Sequence, residues 1–183
     1  GDGRNSFGAD SRDVDFGGFK YAGRLDIYPL GKFSKGNDHL TADLAHEESL
    51  KILLGVAGSF NDGASNRVGA GHGDFLLYNR LGNNQLPDYR QLYSDILVKY
   101  KGFSFLGEYA IATATNLEGT FIDQAGANEL QKTEISEYLA LGSALNVQLG
   151  YVTQSGYGAD FRYATTTPEF DQNTSTQLQE LSA

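Results

Sequence analysis

The chain has 183 residues, with 14 Lys and Arg against 23 Asp and Glu, for a formal net charge of −9. That acidity excludes general nucleic-acid binding, which needs clustered Lys and Arg against phosphate. The lack of Cys excludes a disulfide scaffold, a thiolate metal site and a Cys nucleophile.

An apolar content of 40% argues for a folded chain. The 23 Gly, 11 Tyr and 11 Phe beside only 3 Pro suit strands joined by turns better than long helices, where Gly is costly. No run approaches the roughly 18 apolar residues of a membrane helix. If the chain enters a membrane it does so as a barrel, because only helices and closed barrels satisfy every backbone polar group there.

Residues 1–18 are rich in Gly, Asp and Arg and read as loop. Residues 20–29 alternate. Phe19, Tyr21, Leu25 and Ile27 share one face, and Lys20, Arg24, Asp26 and Tyr28 share the other, which is the period of a strand. Residues 30–49 are polar. Within them 38–48 would allow a turn or two of helix, with Leu40 and Leu44 on one side. Residues 50–60 are the next strand. Leu50, Ile52, Leu54, Val56 and Phe60 oppose Lys51, Gly55, Ala57 and Ser59, with Leu53 on the wrong side. Asn61-Asp62-Gly63 is turn chemistry.

Residues 61–90 form a long, Gly-rich connection. Alternation resumes over 92–100, where Leu92, Ile96, Val98 and Tyr100 oppose Tyr93, Asp95, Leu97 and Lys99. Lys101-Gly102 is a two-residue turn, followed at once by the strand 103–115. The pair predicts an antiparallel hairpin. After the polar connection 116–136, residues 139–151 place Leu139, Leu141, Leu145, Val147, Leu149 and Tyr151 on one face, with Asn146 and Gln148 opposite. A turn at 153–156 leads to the strand 157–165, where Tyr157, Phe161 and Tyr163 oppose Asp160 and Arg162. The tail 166–183 is polar. The whole reads as one all-β unit, divided into loop (1–18), strands and loops (19–165) and tail.

Three features point to a membrane barrel. Tight turns alternate with long connections, as in outer-membrane barrels, with 30–49 as the one exception. Several runs reach the 9–11 residues of a tilted membrane strand, against about 5–6 in soluble sheets. Tyr100, Phe103, Tyr151 and Tyr157 flank turns, where an interfacial girdle would sit.

The stretches Arg24-Leu25-Asp26-Ile27-Tyr28-Pro29-Leu30-Gly31, Leu54-Gly55-Val56-Ala57 leading to Phe60-Asn61-Asp62-Gly63, Val98-Lys99-Tyr100-Lys101-Gly102-Phe103-Ser104-Phe105-Leu106-Gly107-Glu108-Tyr109 and Leu145-Asn146-Val147-Gln148-Leu149-Gly150-Tyr151 follow one another in an order that resembles the phosphate-selective porin O and P family. The resemblance covers most of the chain from Phe19 onward. It implies a 16-stranded, homotrimeric porin in the bacterial outer membrane, passing small polar solutes or ions without a cofactor. With about six strands in view, this chain would be part of a longer polypeptide. Its acidity departs from the Lys- and Arg-lined wall of a phosphate pore.

In such a barrel Lys20, Arg24, Asp26, Lys51, Asp95, Lys99, Glu108, Asp160 and Arg162 would line water, and the wall they form is nearly balanced in charge. The plainer reading of the same residues is a solvated sheet surface. His39, Asp43, His46 and Glu47 would share a helix face and allow a metal, although a solvated linker explains them as well. Asp10, Asp13 and Asp15 fit no complete calcium loop. Gly69-Ala70-Gly71-His72-Gly73 lacks the strand-to-helix setting of a nucleotide loop. Asn173-Thr174-Ser175 matches a glycosylation acceptor. No nucleophile elbow occurs, and no enzyme is expected. The rival reading is a soluble extracellular β-sandwich acting as an adhesin-type binding module.

Overall fold

The computed structural model describes residues 18–69 and 73–170, and the backbone of 179–182. The Asp10, Asp13 and Asp15 loop, His72 and the Asn173 sequon lie outside these residues. The protein is all-β. Strands β1 (Lys20–Ile27), β2 (Lys51–Asn61), β4 (Asp88–Tyr100), β5 (Phe103–Thr115), β7 (Gly142–Val152), β8 (Gly158–Pro168) and β9 (Gln179–Ser182) form one sheet in the order β1-β2-β4-β5-β7-β8-β9. Every pairing in it is antiparallel. Two short strands, β3 (Tyr78–Asn79) and β6 (Thr120–Phe121), join the two longest connections to each other.

The hairpin of β4 and β5 forms as its alternation predicts. Tyr100 pairs with Phe103, and Lys101 and Gly102 turn the chain with φ of 48° and 90°. Two successive positive φ values are the type I′ geometry, whose twist matches that of the flanking strands. Glycine is required at the second position. A Cβ on Gly102 would lie 2.3 Å from the carbonyl oxygen of Val152, a backbone atom that cannot swing aside.

Several expectations are corrected. Residues 38–48 form no α-helix. A 3-10 turn covers only Asn37–His39, and Leu40 and Leu44 are exposed. Leu139 and Leu141 precede β7 and are buried in a cap, because the strand begins at Gly142 with φ 131°. The tail is in part strand. β8 runs on through Pro168, and Gln179–Ser182 pairs with Arg162 to Thr165. Thr165, Thr166 and Thr167 are β-branched and suit a strand without supplying apolar alternation.

The two faces of the sheet are used in an unusual way. Connections fold back onto the polar face at both ends. At one end Ala64, Leu77, Leu86, Leu130, Ile135, Leu139 and Leu141 of the connections 62–87 and 116–141 pack a small core on Tyr89 of β4. At the other, Phe33 from the connection 28–50 packs on Leu53 and Leu97, with Tyr28 and Leu106 beside them. This accounts for Leu53, whose parity looked wrong by sequence. Among the described residues nothing covers the apolar face: Leu25, Leu92, Phe103 and Leu149 are each more than half exposed. β1 and β9 run in the same direction, and the sheet stays open between them among the described residues.

Candidate functional site

The candidate site is the polar face between the two caps. Register builds it. Asp26 lies opposite Gly55, Gly55 opposite Asp95, Asp95 opposite Glu108, Glu108 opposite Asn146 and Asn146 opposite Ala164. Side chains of one register row point to the same side of a sheet. Residues as far apart in sequence as Asp26 and Ala164 therefore form one transverse row, and Glu180 occupies its position on β9.

Arg24 crosses β2 to reach Asp95. Its Nη1 and Nη2 donate to Asp95 Oδ1 at 2.7 Å and Oδ2 at 3.0 Å, and Nη2 lies 2.8 Å from Asp26 Oδ1. The crossing needs a residue without a side chain beneath it. A Cβ on Gly55 would lie 2.3 Å from Arg24 Nη2 and 2.5 Å from Asp95 Oδ2. On the other half of the row, Asn146 Nδ2 donates to Glu108 Oε2 at 2.6 Å, and Arg162 Nε donates to Asn146 Oδ1 at 2.8 Å. Gln148 Nε2 donates to Asp160 Oδ2 at 3.0 Å. Arg24, Tyr93, Asp95, Glu108, Asn146 and Arg162 line one open hollow of ≈ 460 Å³.

Of the nine charged positions read from the sequence, Arg24, Asp26, Asp95, Glu108 and Arg162 occupy this midsection, and Asp160 lies on the same face nearer the tight-turn end, in the register row of Lys51 and Lys99. The lysines do not line it. Lys20 sits at one end and donates to the carbonyl of Gly69 at 3.0 Å, and Lys51 sits at the other and donates to that of Leu30 at 3.2 Å. Lys99 has the expected parity but meets no water. It is fully buried, and its Nζ donates to the carbonyls of Asn37 at 2.5 Å and Ala42 at 2.7 Å. The balanced wall expected from sequence is therefore corrected. In the midsection two arginines face three carboxylates, Asp26, Asp95 and Glu108, and Arg24 is already held by two of these.

The metal alternative is not assembled. The His39 side chain is 82% exposed, while Asp43 is buried and accepts from Asn37 Nδ2 and the backbone N–H of Gly102. His46, with φ 50°, packs its ring against that same turn. No group of three or more potential metal ligands occurs among the described residues.

Asn146, Gln148 and Gly55 are the members of the site that sequence reading passed over. The signal for the first two was present, since they share the parity of Asp160 and Arg162. Gly55 gives no signal until register sets it between Arg24 and Asp95. No protein-family model matches the chain, and neither a curated protein nor a solved structure does.

Proposed function

We propose that this chain is part of the wall of a porin-type outer-membrane barrel, with the apolar face in lipid and the polar midsection lining a water-filled path for small polar solutes or ions. The observation that carries the proposal is the inverted use of the faces. A soluble sheet buries its apolar side and wets its polar side. Here the polar side carries the caps and, among the described residues, large apolar side chains stand exposed on the other side along β1, β2, β4, β5, β7 and β8, and a contiguous exposed apolar face of that kind marks a protein or membrane contact.

The outline of the apolar band supports the same reading. Its upper edge lies at Phe19 beside β1 and at Tyr163 on β8, yet the residue of β1 level with Tyr163 is Ile27. Between those strands the edge has thus slid from position 19 to position 27. At about 3.4 Å per residue and about 4.8 Å per strand, that drift means strands tilted by roughly 48° from the normal of the band. The lower edge runs from Ile27 on β1 to Tyr151 on β7, whose residue level with Ile27 is Val147, and gives roughly 35° by the same spacings. Membrane strands tilt by about 35–45°. Aromatics mark both edges: Phe19 and Tyr21 above, with ring centroids 6.4 Å apart, and Phe103 and Tyr151 below, 4.4 Å apart.

The remaining strands would come from the rest of the polypeptide. Because β1 and β9 are parallel to each other, all-antiparallel closure takes an odd number of further strands. Channel recording on the full-length protein tests the proposal. It should extract from membranes only with detergent and give stepwise conductance in planar bilayers. A protein that is soluble and monomeric without detergent would instead be the β-sandwich binding module.

A further inference from the structure

We infer that the connection 28–50 is a fixed constriction at the tight-turn end of the channel, an inference that rests on the reading proposed above. A connection of this length between two strands ordinarily lies on the surface with few tertiary contacts. This one is packed on the polar face as a block and held there by buried polar groups. Phe33 seats it on Leu53 and Leu97. Asn37, Asp43 and Glu47 are all buried within it.

Each of those groups is satisfied, and the partners tie the block to β4 and its turn. Asp43 Oδ2 accepts from the backbone N–H of Gly102 at 2.8 Å, and the carbonyl of Glu47 accepts from that of Lys101 at 2.9 Å. The Glu47 carboxylate accepts from the Ser34 N–H at 2.7 Å and from Asn37 Nδ2 at 2.8 Å. Lys99 closes the network from the strand side, with its three Nζ bonds all directed to Asn37 and Ala42 and the Phe33 ring 5.9 Å away. A buried charge left without partners costs several kcal/mol, so the network favours two conditions, seated or wholly released.

When seated, the block covers Leu53 of β2 and Leu97 of β4 and reaches Leu106 on β5. Gln148 and Asp160, at the same end of β7 and β8, are not covered by it and bond to each other. The aqueous path along this wall is accordingly confined to the β7 and β8 side, beside Asp160.

The test uses the full-length protein in planar bilayers, with two variants. Lys99→Met keeps the aliphatic stem and removes the three bonds. A second variant replaces residues 32–48 with a short Gly-Ser linker and retains Lys99, so a change common to both cannot arise from loss of the lysine charge. Both should show higher single-channel conductance than wild type, and Lys99→Met should also show faster hydrogen exchange across 28–50. Conductance equal to wild type in the shortened variant would overturn the constriction while leaving the channel reading intact. Unchanged exchange protection in Lys99→Met would overturn the anchoring role of the lysine. No conductance in any of the three proteins would overturn the channel reading and this inference together.

Discussion

Arg24 and Asp95 lie on strands that are not neighbours, and they meet in a two-bond ion pair over the bare backbone of Gly55. Sequence distance, strand order and a missing side chain all enter into that one contact. The pair is partly exposed, with side-chain exposures of 44% and 17%, so its contribution to stability is small, of the order of 0.2–1 kcal/mol. Its effect is to fix where the positive charge sits.

The first prediction follows from that geometry. Gly55→Ala should leave the fold in place, because Arg24 and Asp95 meet the new methyl with the mobile ends of their side chains. It should abolish their coupling. A double-mutant cycle of Arg24→Ala and Asp95→Ala gives about 0.2–1 kcal/mol of coupling in the native background and none with Gly55→Ala present. Equal coupling in both backgrounds would show that the bridge does not depend on the glycine.

Ion selectivity is the second. Wall charges act on ions in a narrow aqueous path with little screening. With Lys99 buried, a path lined by the midsection should favour cations weakly, and Arg24→Glu should shift the reversal potential under a salt gradient further towards cations. Lys99→Glu is a poor probe of the same effect, since position 99 does not face the path. Strong anion selectivity in the native protein would mean that other, positively charged wall segments dominate, and would favour the phosphate-type function that the family resemblance implies.

A third prediction separates the two faces. Val147 and Gln148 are neighbours in β7 on opposite sides of the sheet. Val147→Arg should cost about 2–4 kcal/mol of folding stability in lipid vesicles near the bilayer midplane. Gln148→Arg, on the wet side and next to Asp160, should cost little. Equal costs measured by denaturant titration would place both residues in the same environment.

The fourth concerns the connection 116–141. Asp123 accepts backbone N–H bonds from Ala127 at 3.2 Å and Asn128 at 2.7 Å. These bonds, that from Ala127 foremost, favour the carboxylate and hold its pKa below the ordinary range. A depressed carboxylate pKa stabilises the loop above the unfolded-state pKa, and that contribution disappears as pH falls through the folded-state value. The amides of Ala127 and Asn128 should titrate by NMR with a midpoint below that of a free Asp, and Asp123→Asn should abolish the titration. A midpoint at or above the free value would contradict the capping role.

Much of the sheet was legible from alternation alone. The bounds of β5 and the turn at Lys101-Gly102 came directly from parity, because one-sided burial imposes a period of two. Parity gives the side of a residue and not what lies over it. Leu53 therefore looked misplaced and Lys99 looked wet, although the connection 28–50 lies on top of both. The contacts responsible join residues 57 and 62 positions apart, and no local pattern reports them. β9 was missed for a different reason. Gln179–Ser182 contains a single apolar residue, and it becomes a strand through its register with Arg162 to Thr165.

The claim on which the account depends is that the odd-numbered residues of β7 face lipid and the even-numbered ones face water. Single Trp substitutions at Leu145, Asn146, Val147, Gln148 and Leu149, in a chain with no native Trp, report this directly through quenching by brominated lipids. The account predicts strong quenching at 145, 147 and 149 and weak quenching at 146 and 148. Quenching that is absent at all five positions, or that does not alternate, would contradict it.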